Sequence, residues 1–188
     1  MTINTIKALA LLQFHGEPFF IVGKGDNAIA YQGNEEETFA AYLVALEDPQ
    51  TDMTFEEYLA DRSIEVEEYN ENDYNNDYLC LTDEEADEKV KEYIKGSVWA
   101  FNADFIVDQT GLPYESAEMI KAYQEKCEGA NDTILALIEK CGSFDDFCSA
   151  AVSADGRGHF ISSYDGEENE ETITVEGENY TFYIYRQN

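Results

Sequence analysis

The apolar positions of the first third fall in two blocks, Ile6 to Phe14 and Phe19 to Tyr31. His15-Gly16-Glu17-Pro18 separates them, and Gly23-Lys24-Gly25-Asp26-Asn27 interrupts the second. Apolar runs bounded by Gly, Pro and Asn predict strands joined by turns, so the chain starts as β and continues as α. From Glu35 to Glu47 the period changes. Phe39, Tyr42, Leu43 and Leu46 recur at helical spacing on one face, and Pro49 ends the run. Thr54-Phe55-Glu56-Glu57 fits a capping box, in which a hydroxyl and a carboxylate satisfy free amides at a helix start, and predicts a short helix over Phe55 to Asp61. Ile64 to Asp77 is rich in Glu, Asp and Asn with few aliphatic residues after Val66, and reads as an acidic loop or linker.

A second capping box, Thr82-Asp83-Glu84-Glu85, opens the strongest helical pattern. Ala86, Val90, Tyr93, Ile94, Phe101 and Phe105 carry it to about Val107, unless Gly96 or Asn102 breaks it. Gly111 and Pro113 stop it, and three shorter amphipathic helices follow over Glu115 to Lys126, Asp132 to Cys141 and Ser143 to Ser153. The period then shortens to that of strands at Phe160 to Ser163, Thr172 to Glu176 and Tyr180 to Tyr185, the last two joined as a hairpin by Gly177-Glu178-Asn179. The predicted fold class is α+β: a helical bundle in the middle of the chain, an N-terminal β-hairpin and C-terminal antiparallel strands. Three segments follow: residues 1–63 as an N-terminal α/β segment, 64–81 as an acidic loop or linker, and 82–188 as the bundle with its β-hairpin.

Charge changes the picture more than composition does. Of 188 residues, 44% are hydrophobic, enough to offset the entropy of ordering the chain, so it is expected to fold. Yet 41 acidic residues face only 11 basic ones, a net charge of −30. Such a field repels phosphate backbones and anionic membranes, which excludes direct nucleic-acid binding. No apolar stretch approaches the roughly 20 residues that span a bilayer, and Ala8 to Leu12 is too short for a secretory signal core, so a cytoplasmic location is expected. The four cysteines, Cys80, Cys127, Cys141 and Cys148, form no C-x-x-C pair and read as reduced packing residues.

Candidate chemistry is sparse. Asp73, Asn75, Asp77 and Glu84 match four ligand positions of a calcium loop, but Tyr78 stands where the sharp turn needs glycine. Asp165, Glu167, Asn169 and Glu176 repeat the match with Glu170 in that place, so both are read as coincidences of an acid-rich chain. Gly23 to Asn27 lacks the phosphate-loop pattern, and the Cys and His spacings do not suit zinc. No cofactor or metal is expected. Asp155-Gly156-Arg157-Gly158-His159-Phe160 gathers an acid, a base and a titratable imidazole between two glycines, and would centre a small enzyme. With no nucleophile placed beside His159, a helix-to-strand turn with a local ion pair is the simpler reading.

Twelve acidic residues lie between Glu65 and Glu92, and seven between Asp165 and Glu178. A folded chain of this length is about 40 Å across, and duplex DNA carries roughly 24 charges over that distance. Net charge of about 2–8 suffices for solubility, so −30 exceeds that need several-fold. Carboxylates on one face could therefore occupy a site built for phosphates. The expected contacts are Glu65, Glu67, Glu68, Glu71, Asp73, Asp77, Asp83, Glu84, Asp87 and Glu88, with Glu167, Glu168, Glu170 and Glu171 second. The expected partner is a basic, nucleic-acid-binding host protein. Salt adaptation would account for the acidity equally well.

Tyr78 to Asp87, Ser97 to Asn102, Ala154 to Phe160 and Tyr164-Asp165-Gly166 resemble segments of uncharacterised acidic proteins of phages and mobile elements. The resemblance covers the C-terminal half and implies no activity or catalytic residue. In charge and size the chain is similar to antirestriction and anti-CRISPR inhibitors. The expectation is a non-enzymatic, nucleic-acid-mimicking inhibitor, with the enzyme centred on Asp155, Arg157 and His159 and a structural or scaffolding phage component as alternatives.

Overall fold

The computed structural model describes residues 1–48, 52–69 and 77–188, with the side chains of Asp26 and Glu36 left aside. The described residues form an α+β fold with helices and two small sheets, divided into two compact units. The first comprises Met1–Leu81 and Glu170–Ile184, the second Thr82–Asn169 and Tyr185–Asn188.

In the first unit, Ile6 to Phe14 is not a strand but most of helix α1 (Ile3–Phe14), capped by the Thr2 side chain accepting from the Thr5 N–H. Six of its residues, among them Leu9, Ala10 and Leu12, are buried, so no polar face marks the helical period. Leu and Ala, rather than β-branched residues, fill the run, and they favour helix. The hairpin comes next, from β1 (Phe19–Val22) and β2 (Ile29–Gln32), paired antiparallel from Phe19↔Gln32 to Val22↔Ile29. Its connection needs Gly23, where φ is +90° and a Cβ would lie 2.5 Å from the Asn27 carbonyl oxygen.

Helix α2 (Glu36–Ala45) turns Phe39 and Tyr42 onto the Phe55 ring at 5.7 and 5.2 Å. The stripe packed on that cluster runs through Phe39, Tyr42 and Ala45, so Leu43 and Leu46, each one position further round the helix and expected on the buried face, stay exposed. Helix α3 (Phe55–Arg62) opens with the predicted capping box: Thr54 Oγ1 accepts from the Glu57 N–H, and the Glu57 carboxylate from the Thr54 N–H at 2.7 Å. The following segment is no free linker over its described part. Gln32 N–H donates to Glu67 O and Tyr69 N–H to Ala30 O, which lays residues 67–69 antiparallel along β2. Ile64 and Val66 pack on the aromatic cluster, while Glu65 and Glu67 alternate with them into solvent.

The second sheet has the order β3-β5-β4, built from β3 (Tyr78–Leu81), β4 (Asn169–Val175) and β5 (Glu178–Arg186). The predicted hairpin forms, but its turn is Glu176-Gly177 and not Gly177-Glu178-Asn179: both residues have positive φ (54° and 85°), as a two-residue loop of type I′ requires, and Glu178 and Asn179 already belong to β5. Ile173, Val175 and Phe182 pack with Leu9 and Leu12 of α1 in one core.

The second unit is the predicted helical bundle. Helix α4 (Asp83–Ser97) starts at the Thr82 capping box and buries Ala86, Val90 and Ile94 at four-residue spacing. It does not run on to Val107. A short 3₁₀ turn over Val98–Ala100 follows, and Asn102 caps a new helix, α5 (Ala103–Thr110). Side chains take up the carbonyls freed by the break: Asn131 Nδ2 donates to Lys95 O, and Gln124 Nε2 to Trp99 O and Phe101 O. Helices α6 (Ser116–Gln124), α7 (Asn131–Cys141) and α8 (Phe144–Asp155) complete the bundle. Phe160 to Ser163 is not a strand: Phe160 and Ile161 end a short helix, α9 (Arg157–Ile161), packed against α4.

Candidate functional site

Gly156, at φ +79°, ends α8 and lets α9 leave in a new direction. Gly158 serves a different need. A Cβ there would sit 2.2 Å from the Gly166 carbonyl oxygen and 2.7 Å from the Glu167 carbonyl carbon, so the backbone of 166–168 rests directly on the glycine. That contact brings Glu168 to Arg157, whose side chain is 11% exposed. Arg157 Nε donates to Glu168 Oε2 at 2.8 Å and Nη2 to Oε1 at 3.2 Å, while Nη1 reaches Asp83 Oδ1 at 2.7 Å and Asp87 Oδ1 at 3.2 Å. The buried Tyr185 hydroxyl donates to Glu168 at 2.5 Å. Burial pulls the guanidinium pKa down, but the bonds to Glu168 and Asp83 and the charge of Glu168 outweigh it, and the net shift is upward. Arg157 is thus a permanently charged clamp on three carboxylates.

The acid–base cluster read at Asp155, Arg157 and His159 is not brought together. Two positions apart on α9, Arg157 turns inward and His159 is exposed, its ring edge-on to Phe160, while Asp155 is exposed at the end of α8. Nearby, the Asp165 carboxylate accepts from the Ser162 hydroxyl at 2.7 Å and the Glu167 N–H at 3.0 Å, which together lower its pKa.

The predicted acidic contacts are divided between the units. Glu65, Glu67, Glu68 and Asp77 lie in the first, with Glu170 and Glu171 on β4, where Glu171 accepts from the Gln13 side chain. Asp83, Glu84, Asp87 and Glu88 on α4 and Glu167 and Glu168 before β4 lie in the second. Glu84, Glu88 and Glu167 are exposed, whereas Asp83, Asp87 and Glu168 serve Arg157. Glu71 and Asp73 lie outside the described residues, as does Asn75 of the first calcium-like spacing.

One arrangement went unread in the sequence. In the first unit Glu17, Glu35, Glu65 and Glu67 line a single pocket of about 400 Å³, floored by Pro18, Gln32, Gly33 and Val66. Glu35 Oε2 is buried there with no hydrogen-bond partner. Glu65 and Glu67 belong to the predicted acidic run, but Glu17 follows α1 and Glu35 precedes α2; the hairpin, closed by the Gly33 N–H donating to Pro18 O, and the pairing of residues 67–69 with β2 bring the four together. Among the described residues no group of three or more His, Cys, Asp or Glu side chains is arranged to hold a metal ion. A pocket of spaced carboxylates suits a guanidinium or ammonium group that offers several donors in different directions.

The four cysteines are thiols, but only in part the packing residues expected. Cys148 is buried, which pushes its thiol up to about 11, and the Cys80 thiol donates to Lys7 O from β3, whereas Cys127 and Cys141 are exposed. No helix among the described residues is long and apolar enough to cross a membrane. Compared with protein-family models, with curated proteins and with solved structures, the chain matches none.

Proposed function

We propose that this chain is a non-enzymatic inhibitor that binds a basic DNA- or RNA-handling protein of the cytoplasm by offering carboxylates where that protein holds phosphates. The observation that carries the reading is the cluster of Glu17, Glu35, Glu65 and Glu67 around one pocket. Four carboxylates gathered there repel one another, and a partner's arginine or lysine would supply both hydrogen-bond donors and the counter-charge. The net charge of −30 adds long-range steering toward such a partner. The likeness to antirestriction and anti-CRISPR inhibitors in charge and size makes a restriction or CRISPR nuclease the partner class of choice.

The test is DNA cleavage by a panel of restriction and CRISPR nucleases, with and without the protein. Inhibition of at least one nuclease is expected, and it should weaken in a Glu35→Gln/Glu65→Gln/Glu67→Gln variant whose thermal melt is unchanged. Full inhibition by that folded variant would remove the pocket from the account.

A further inference from the structure

The second unit holds a cleft of opposite character. Between α6 and α7, Met119, Ile120, Tyr123, Ile134, Leu137 and their neighbours line about 370 Å³. Met119 stays 62% exposed although it belongs to this lining. The Tyr123 hydroxyl meets Thr133 Oγ1 at 3.0 Å, which ties the two helices together at the cleft. The lining holds one charged side chain. Lys140 lines the cleft, and no described carboxylate pairs with it. The Lys126 ammonium sits 4.0 Å from the centre of the Tyr123 ring.

We propose that this cleft binds a medium-chain acyl carboxylate, its tail against Ile120, Ile134 and Leu137 and its head group on Lys140. The volume falls at the lower end of the roughly 300–1,000 Å³ of small-molecule sites, room for one flexible chain but too little for a helix about 10–12 Å across. An apolar lining with one cation selects an amphipathic anion: the tail gains by leaving water, and the carboxylate gains a charge-assisted bond. A basic peptide, the partner class of the acidic pocket, would be repelled by Lys140 and Lys126. The two sites therefore stand or fall separately.

Two exposed thiols provide the readout. Cys141 lines the cleft and Cys127, on the turn after α6, does not. Dodecanoate, kept below its micellar concentration, should slow alkylation of Cys141 by iodoacetamide, about tenfold at nine times its Kd by mass action. Cys127 should react at an unchanged rate. Lys140→Gln should raise the Kd roughly tenfold, as expected for a lost hydrogen bond to a charged group, so that protection at the same concentration falls from about tenfold to about twofold, and dodecanol should protect the wild type as poorly. Ala136→Phe, which fills the cleft from α7, should abolish protection, with a thermal melt confirming its fold. Equal rates at Cys141 with and without dodecanoate would overturn the site. Undiminished protection in Lys140→Gln would overturn the head-group assignment and with it the proposal.

Discussion

Arg157 and Glu168 are joined by two parallel hydrogen bonds, at 2.8 and 3.2 Å, from a guanidinium that also holds Asp83 and Asp87. One side chain thus ties the start of α4 to α9 and to the segment leading into β4. Arg157→Ala leaves three carboxylates facing one another without a cation. The expected cost is about 2–3 kcal/mol, below the roughly 3–5 kcal/mol for breaking a fully buried pair, because water reaches Asp83 and Asp87. Arg157→Lys should recover only part of it, since an ammonium cannot reproduce the two-pronged contact. Urea unfolding measures both, and a loss under about 0.5 kcal/mol for the alanine variant would mean that solvent already screens the clamp.

The two glycines beside Arg157 should differ in kind. Gly156→Ala meets open space and carries only the strain of a positive φ, about 1–3 kcal/mol. Gly158→Ala drives a methyl into the backbone at Gly166 and should damage the second unit more, displacing Glu168 from Arg157. His159→Ala, on the exposed face of α9, should stay within about 0.5 kcal/mol of wild type. Thermal melts rank the three, and a more stable Gly158→Ala than Gly156→Ala protein would refute the close contact.

The local signals were the legible ones. Both capping boxes, at Thr54 and Thr82, lie within four residues and set helix starts whatever surrounds them. Ile6 to Phe14 was misread because burial on nearly every side erases the polar positions that reveal a helical period. Phe160 to Ser163 was misread because its helix depends on Gly158 meeting Gly166, a contact with no sequence signature. The site divides in the same way. Glu65 and Glu67 stand out in an acid-rich run, but Glu17 and Glu35 join them through the β1–β2 hairpin and the pairing of residues 67–69 with β2.

Cys148 makes stability depend on alkaline pH. Its folded-state pKa, about 11, lies above the ordinary value of 9.0, so the native state holds the thiol proton more tightly than the unfolded chain does. That contribution is complete below about pH 9 and is lost as pH rises toward about 11. In Cys148→Ala the fall in stability across this window should be shallower than in wild type. Iodoacetamide should label Cys127 and Cys141 in the native protein and Cys148 only on unfolding, and rapid native labelling of Cys148 would contradict its burial.

Asp165 works in the opposite direction. Hydrogen bonds from Ser162 and the Glu167 N–H lower its pKa, so its contribution is present above the ordinary aspartate range and is lost as pH falls through the lowered value. Asp165→Asn should flatten the acid limb of the stability profile below about pH 4, and an unchanged limb would show that those bonds do not distinguish the folded state.

The central claim, that carboxylates here take the place of phosphates, is tested most directly by competition. With a nuclease that the protein inhibits, duplex DNA and the protein are titrated against each other while association is followed at low and high salt. The account predicts mutually exclusive binding, with an association rate that falls steeply as salt rises and falls less steeply for the Glu35→Gln/Glu65→Gln/Glu67→Gln variant. A ternary complex of nuclease, DNA and protein, formed with an association rate indifferent to salt, would contradict it.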